Sequence, residues 1–158
     1  MSKLLLSLLV VGVLVTPSGR TCSCRAASED DIAHGANEDI EYHERTVKNL
    51  EGTVSYQDDG ARIPDVVVEL YDVTDADRNL RPRQIVGLRS RRAACITGGD
   101  GTFCFPNVPS GLYVLRAGTR SSNGGMNDVC MRIKLDNRWW TGWFRRARPI
   151  KLGLSPGT

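Results

Sequence analysis

The chain is poor in the residues from which active sites are most often built. Among 158 residues it holds only two histidines, His34 and His43, and both fall in one polar stretch. A Ser-His-Asp set needs an imidazole fixed beside a nucleophile by the fold, so none is evident. A zinc site is equally poorly served: Cys22 and Cys24 are separated by one residue, and neither histidine is spaced to join them. Long apolar runs are scarce as well. The run Leu4 to Val15, broken only by Ser7 and Gly12, falls short of the roughly 20 apolar residues of a spanning helix. Net charge is small, at +3, which gives no argument for a nucleic-acid partner. No metal, cofactor or transmembrane segment of the mature protein is expected.

What is present first concerns export. Lys3 precedes the apolar run, and Pro17, Ser18 and Gly19 follow it. That order is the n-region, h-region and polar end of a secretory signal peptide, so residues 1–21 are expected to be removed and the protein to be secreted or periplasmic. Loss of Lys3 and Arg20 lowers the charge to about +1. Residues 22–45 then read as an acidic linker or arm, with at most a short helix near Glu38 to Arg45. Basic stretches at Arg78 to Arg92 and Arg138 to Arg148 are solvated surface on which that arm can lie.

From residue 46 to 158 the pattern changes to short strands and turns. Leu50 to Tyr56 is a first strand, and Asp65 to Tyr71 a second with Val66, Val68 and Leu70 on one face and Val67, Glu69 and Tyr71 on the other. Asp72 to Ser90 is a long Arg-rich connection, with a short strand or turn near Gln84 to Leu88. Leu112 to Ala117, Val129 to Leu135 and Pro149 to Leu154 complete the set. In Val129 to Leu135, Val129, Met131, Ile133 and Leu135 share one side. Six to seven short strands of this kind predict an all-β, two-sheet sandwich.

Gly98-Gly99-Asp100-Gly101 suits the tight turn of a hairpin between Arg92 to Thr97 and Thr102 to Phe105. The register predicted from it sets Ile96 opposite Phe103, Cys95 opposite Cys104 and Ala94 opposite Phe105. Facing Cβ atoms in a ladder lie about 4.5–5.5 Å apart, and a disulfide needs about 3.8 Å. In an exported chain a Cys95–Cys104 bridge is therefore expected with a small local adjustment. Cys130 is then expected to pair with Cys22 or Cys24, and the odd number of cysteines leaves one thiol over.

The residues Leu50 to Val54, Ile63-Pro64, Val66 to Leu70, Thr97 to Phe105 and Val108 to Tyr113 together resemble the carboxypeptidase regulatory-like family. The resemblance implies a seven-stranded Greek-key sandwich of transthyretin (prealbumin) type over about residues 48–156. It implies no catalysis, because the family's peptidase chemistry resides in a separate domain. The chain ends Leu-Ser-Pro-Gly-Thr, unlike the Tyr-Arg-Gly-Ser of the transthyretin-related hydrolases, so a small hydrolase is disfavoured.

One segment looks like a binding surface. Trp139, Trp140 and Trp143 stand among Arg138, Arg145, Arg146 and Arg148. Tryptophan faces flanked by guanidinium groups stack on sugar rings, peptides or aromatic side chains. The competing reading is that the rings cap the open end of the sandwich. The expectation is a non-catalytic interaction module for a protein or glycan, with a carbohydrate-binding module as the alternative. Asp72, Asp75 and Asp77 lack the glycine and the terminal glutamate of a calcium loop, and Asp100 reads as a turn residue.

Overall fold

The computed structural model describes residues 23–28, 31, 36–119, 126–137 and 149–156. Within them lie nine strands: β1 (Arg25–Ala26), β2 (Ala36–Val47), β3 (Leu50–Tyr56), β4 (Val66–Asp72), β5 (Arg91–Ile96), β6 (Thr102–Phe105), β7 (Gly111–Thr119), β8 (Asn127–Leu135) and β9 (Ile150–Leu154). A 3-10 turn (Asp75–Asp77) and one helix, α1 (Pro82–Leu88), interrupt them. The strands form two sheets, one ordered β1-β5-β4-β7-β8-β2 and one ordered β6-β3-β9. Neighbours are antiparallel except β2 beside β8 and β3 beside β9, which run parallel.

The two sheets share one core, which is what makes them a sandwich. Val66, Val68, Leu70, Leu115, Ala117, Val129, Met131 and Ile133 face it from the larger sheet, and Val54, Phe103, Phe105, Ile150, Leu152 and Leu154 from the smaller. These are the alternate positions of their strands, as the period of two requires. The alternation read for the segments now β4 and β8 therefore holds. β4 is buried on both faces: its outward Val67 packs with Ile96 and Ala27, and Tyr71 packs with Ile85 and Val114. The cover over that outer face is α1 and the residues around β1.

Close approach, not flexibility, explains Gly52. It stands in β3 between Phe103 of β6 and Ile150 of β9. A Cβ there would lie 2.8 Å from Phe103 Cζ and closer still to the Ile150 carbonyl oxygen. Gly101 has a different need. Its φ of +67° is in the left-handed region, and a Cβ would lie 2.8 Å from the Val54 carbonyl oxygen.

The structure corrects three expectations. Residues 36–45 of the arm form most of β2, an edge strand on β8, in place of a linker or a short helix. Gln84 to Leu88 belongs to α1 and is neither strand nor turn; Pro82 opens the helix and Gln84 Oε1 accepts the Arg81 N–H at 2.8 Å. The Gly98 to Gly101 turn exists, with Gly101 N–H bonded to the Gly98 carbonyl at 2.9 Å. Its two arms nonetheless part into different sheets, β5 onto β4 and β6 onto β3. Phe103, Phe105 and Cys95 therefore all face the core, while Ile96 points outward.

That divergence also decides the cysteines. Cys95 is a free thiol, so the Cys95–Cys104 bridge is not formed. Cys104 is disulfide-bonded, and Cys24 and Cys130 both carry thiols, so Cys130 is joined to neither Cys24 nor Cys22. Cys130 is buried on the outer face of β8 near α1, whereas Cys24 touches β6.

Candidate functional site

Two places gather chemistry-bearing side chains. The first lies on the outer face of the larger sheet, where β4, β7 and β8 carry Glu69, Arg116 and Asp128. Glu69 is 1% exposed. A carboxylate so placed needs partners to stay charged. Arg91 Nη1 supplies one at 2.9 Å and Arg116 Nη1 another at 3.2 Å, and the Tyr71 hydroxyl donates at 3.1 Å. Burial first, and then the charge of Glu69, pushes the Tyr71 phenol up to about 12.

Arg116 also grips Asp128, with Nε 2.9 Å and Nη2 2.5 Å from the same Oδ2. The pKa of each partner rises, for different reasons. Burial works against charge on both; on Arg116 the carboxylates outweigh it and its pKa rises. On Asp128 burial prevails over the arginine and raises the carboxyl as well. Two short guanidinium bonds to one carboxylate oxygen identify the pair as ionic. Asp128 Oδ1 is buried and has no hydrogen-bond partner among the described residues. Beside it opens a recess of about 170 Å³ lined by Arg83, Val86, Gly87, Arg116, Asp128 and Cys130. Ligand pockets usually run to roughly 300–1,000 Å³, so this one suits water or a small polar group.

The second place is the seam where residues 23–24 meet the Gly98 to Gly101 turn. Ser23 Oγ donates to Asp100 Oδ1 at 2.6 Å, and Thr102 donates to the same oxygen through N–H at 3.1 Å and Oγ1 at 2.7 Å. Those bonds, Ser23 foremost, lower the Asp100 carboxyl to about 2. Asp100 is thus a turn residue, as expected. Next to it, Cys24 Sγ lies 3.6 Å from Cys104 Sγ and accepts the Cys104 N–H at 3.3 Å. A hydrogen bond from the Cys95 thiol, against the effect of burial, brings the Cys24 thiol down to about 6. The same bond, with burial, pushes Cys95 well above the ordinary thiol range.

The acidic groups singled out in the sequence are each committed to an arginine or a turn. Asp72 receives Arg92, Asp75 receives Arg78, and Asp77 receives Arg89 through Nε at 3.0 Å and Nη2 at 2.8 Å. Thr74 adds its N–H and hydroxyl to Asp77. They do not converge on a common point, and among the described residues no group of His, Cys, Asp or Glu is arranged to hold a metal ion.

Arg138, Trp139, Trp140, Trp143 and Arg145 lie outside the described residues, as does Cys22. The roots of that tryptophan segment are described. Asn137 bonds to the Ser110 hydroxyl and the Val108 carbonyl, and Pro149 leads directly into β9. The β2–β3 turn, the β6–β7 connection and both roots sit at one end of the sandwich, because Val47 and Gly111 both pair with Leu135 and Ile150 with Gly52.

Glu69 is recognisable in the sequence. A glutamate inside Val-Val-Val-Glu-Leu-Tyr predicts a buried charge in want of a cation. Arg116 and Asp128 carry no such signal, since only the β4-β7-β8 pairing brings them to it. No protein-family model, curated protein or solved structure matches the chain.

Proposed function

We propose that the protein is an exported, non-catalytic β-sandwich module that binds a protein or glycan partner at one end of the sandwich. The observation that carries this reading is the gathering of three connections at that end, including both roots of the Arg138 to Arg148 segment. A rigid sandwich presenting loops from one end is a common way to build a recognition surface. The commitment of Glu69, Asp72, Asp75, Asp77 and Asp128 to arginines supports a structural role for those carboxylates.

A relation to the carboxypeptidase regulatory-like, transthyretin-type Greek-key sandwich belongs to this proposal. It is supported by β3 to β9, which put four strands (β5-β4-β7-β8) over three (β6-β3-β9). On this reading β1 and β2 are additions from the preceding arm. Carbohydrate binding is the alternative, resting on Trp139, Trp140 and Trp143 in the sequence.

The test is affinity capture from the secretome of the producing cell, run beside a glycan array, with the mature chain and a Trp140→Ala/Trp143→Ala variant. Capture of a defined protein that the folded variant loses supports the first reading. Glycan retention lost in the variant supports the second. Equal retention by both chains places the binding surface elsewhere and defeats the proposal.

A further inference from the structure

We propose that the recess beneath α1 is a binding site for a small neutral molecule, a hydroxyl on a compact apolar body, whose hydroxyl donates to Asp128. The site lies on the outer face of the larger sheet, apart from the end of the sandwich where a partner is proposed to bind. Its walls follow from two periods. Arg83, Val86 and Gly87 share one face of α1 through their i, i+3 and i+4 spacing. Asp128 and Cys130 share one face of β8, and Arg116 pairs with Cys130 from β7.

Asp128 is the group that asks for a ligand. It is 7% exposed, and a buried carboxylate oxygen ordinarily accepts at least one hydrogen bond. Arg116 directs both of its bonds to this residue at Oδ2, from Nε at 2.9 Å and Nη2 at 2.5 Å. Oδ1 has no hydrogen-bond partner among the described residues. An ionised carboxylate accepts and does not donate, so whatever completes Oδ1 must bring a proton.

Size and charge narrow the ligand further. The recess holds about 170 Å³, several times the roughly 30 Å³ share of one water and close to the ~150 Å³ of a cavity that takes benzene. Its charged walls are Arg83, Arg116 and Asp128, two cations and one anion. An entering ammonium group would meet both arginines, and an entering carboxylate would meet the unpartnered oxygen. A neutral donor meets neither repulsion. Val86, Gly87 and Cys130 line the recess without charge, and the buried Cys130 thiol behaves as a small hydrophobe toward the ligand body. Phenol, one ring with one hydroxyl, is the simplest molecule with these properties.

The full chain, isotopically labelled for amide NMR, tests this by titration at neutral pH with phenol, anisole, benzylamine and benzoate. Phenol is expected to bind saturably, with shifts centred on the amides of Arg83, Val86, Gly87, Arg116, Asp128 and Cys130. Anisole keeps the ring and the oxygen but has no proton to donate, so it should bind about tenfold more weakly. Protonated benzylamine and benzoate should give no saturable shift at these residues. The proposal is overturned if phenol gives no saturable shift, or if its shifts centre elsewhere in the chain. It is equally overturned if anisole binds within a factor of about two of phenol, or if either charged compound binds as tightly. Every reading is made on the wild-type chain, so the outcome depends on no variant folding.

Discussion

Arg91 Nη1 sits 2.9 Å from Glu69 Oε1 and, from the same nitrogen, donates to the Asp31 carbonyl at 2.7 Å. One guanidinium thus joins a buried carboxylate of β4 to the residues beyond β1, and its Nη2 adds the Ser28 carbonyl at 3.0 Å. The sequence suggests an arm held on a basic face by charge attraction. Here Arg91 engages arm carbonyls and directs its charge to Glu69.

Removing Glu69 should therefore be costly. Glu69→Ala leaves Arg91 and Arg116 half-buried without their shared carboxylate, and breaking such a pair costs about 3–5 kcal/mol. Glu69→Gln keeps the acceptor oxygen and should cost less. Urea unfolding checks both, and a loss under about 1 kcal/mol for Glu69→Ala would show that the network contributes little.

Three glycines separate two kinds of constraint from none. Gly52→Ala drives a Cβ into the Ile150 backbone and the Phe103 ring, neither of which gives way easily, so a loss of about 1–3 kcal/mol is expected. Gly101→Ala adds a left-handed φ to a backbone clash and should cost a similar amount. At Gly99 a Cβ meets nothing within 4 Å, so Gly99→Ala is the neutral control. Thermal unfolding of the three variants should rank them accordingly; equal melting temperatures would remove the packing argument.

The sequence is readable where a strand carries its own alternation. Val129, Met131, Ile133 and Leu135 share a side in β8 because one face meets the core, and that needs no knowledge of the rest. β2 carries no such pattern. Ala36 to Val47 is charged and polar, and it pairs with β8, some 90 positions away in the chain. The Gly98 to Gly101 turn is visible, yet turn chemistry reports only a reversal, and which sheet each arm joins is settled by β3 and β4. The Cys95–Cys104 expectation fails for that reason. The sulfur site is legible only as a set of cysteines, since contact between Cys24 and Cys104 depends on where residues 23–26 dock.

The docking of α1 yields a sharper contrast. Ile85 is fully buried against Tyr71 and Val114, while Leu88, three residues on, is 69% exposed. Ile85→Ala should cost about 2–5 kcal/mol through lost burial and the cavity it leaves. Leu88→Ala should change stability by less than about 0.5 kcal/mol. Chemical denaturation monitored by circular dichroism distinguishes them, and a small effect at Ile85 would mean that α1 is only loosely seated.

Acid should loosen the seam at Asp100 in a predictable direction. Its carboxyl falls from the usual 3.8 to about 2, because Ser23 and Thr102 donate to the charged form. A folded-state pKa below the unfolded value gives stability that is present above about pH 4 and lost as pH falls toward 2. Asp77, lowered first by Arg89 and then by Thr74, acts with the same sign. Asp128 acts with the opposite sign, since burial raises its pKa and protonation relieves that burden. In Asp100→Asn the acceptor stays but the charge goes. The variant should be less stable than the wild type at pH 6, and the gap should close as pH approaches 2. Unfolding midpoints at pH 6, 4, 3 and 2 measure this, and a gap that stays constant across them would show that the Asp100 charge contributes nothing to holding Ser23 on the turn.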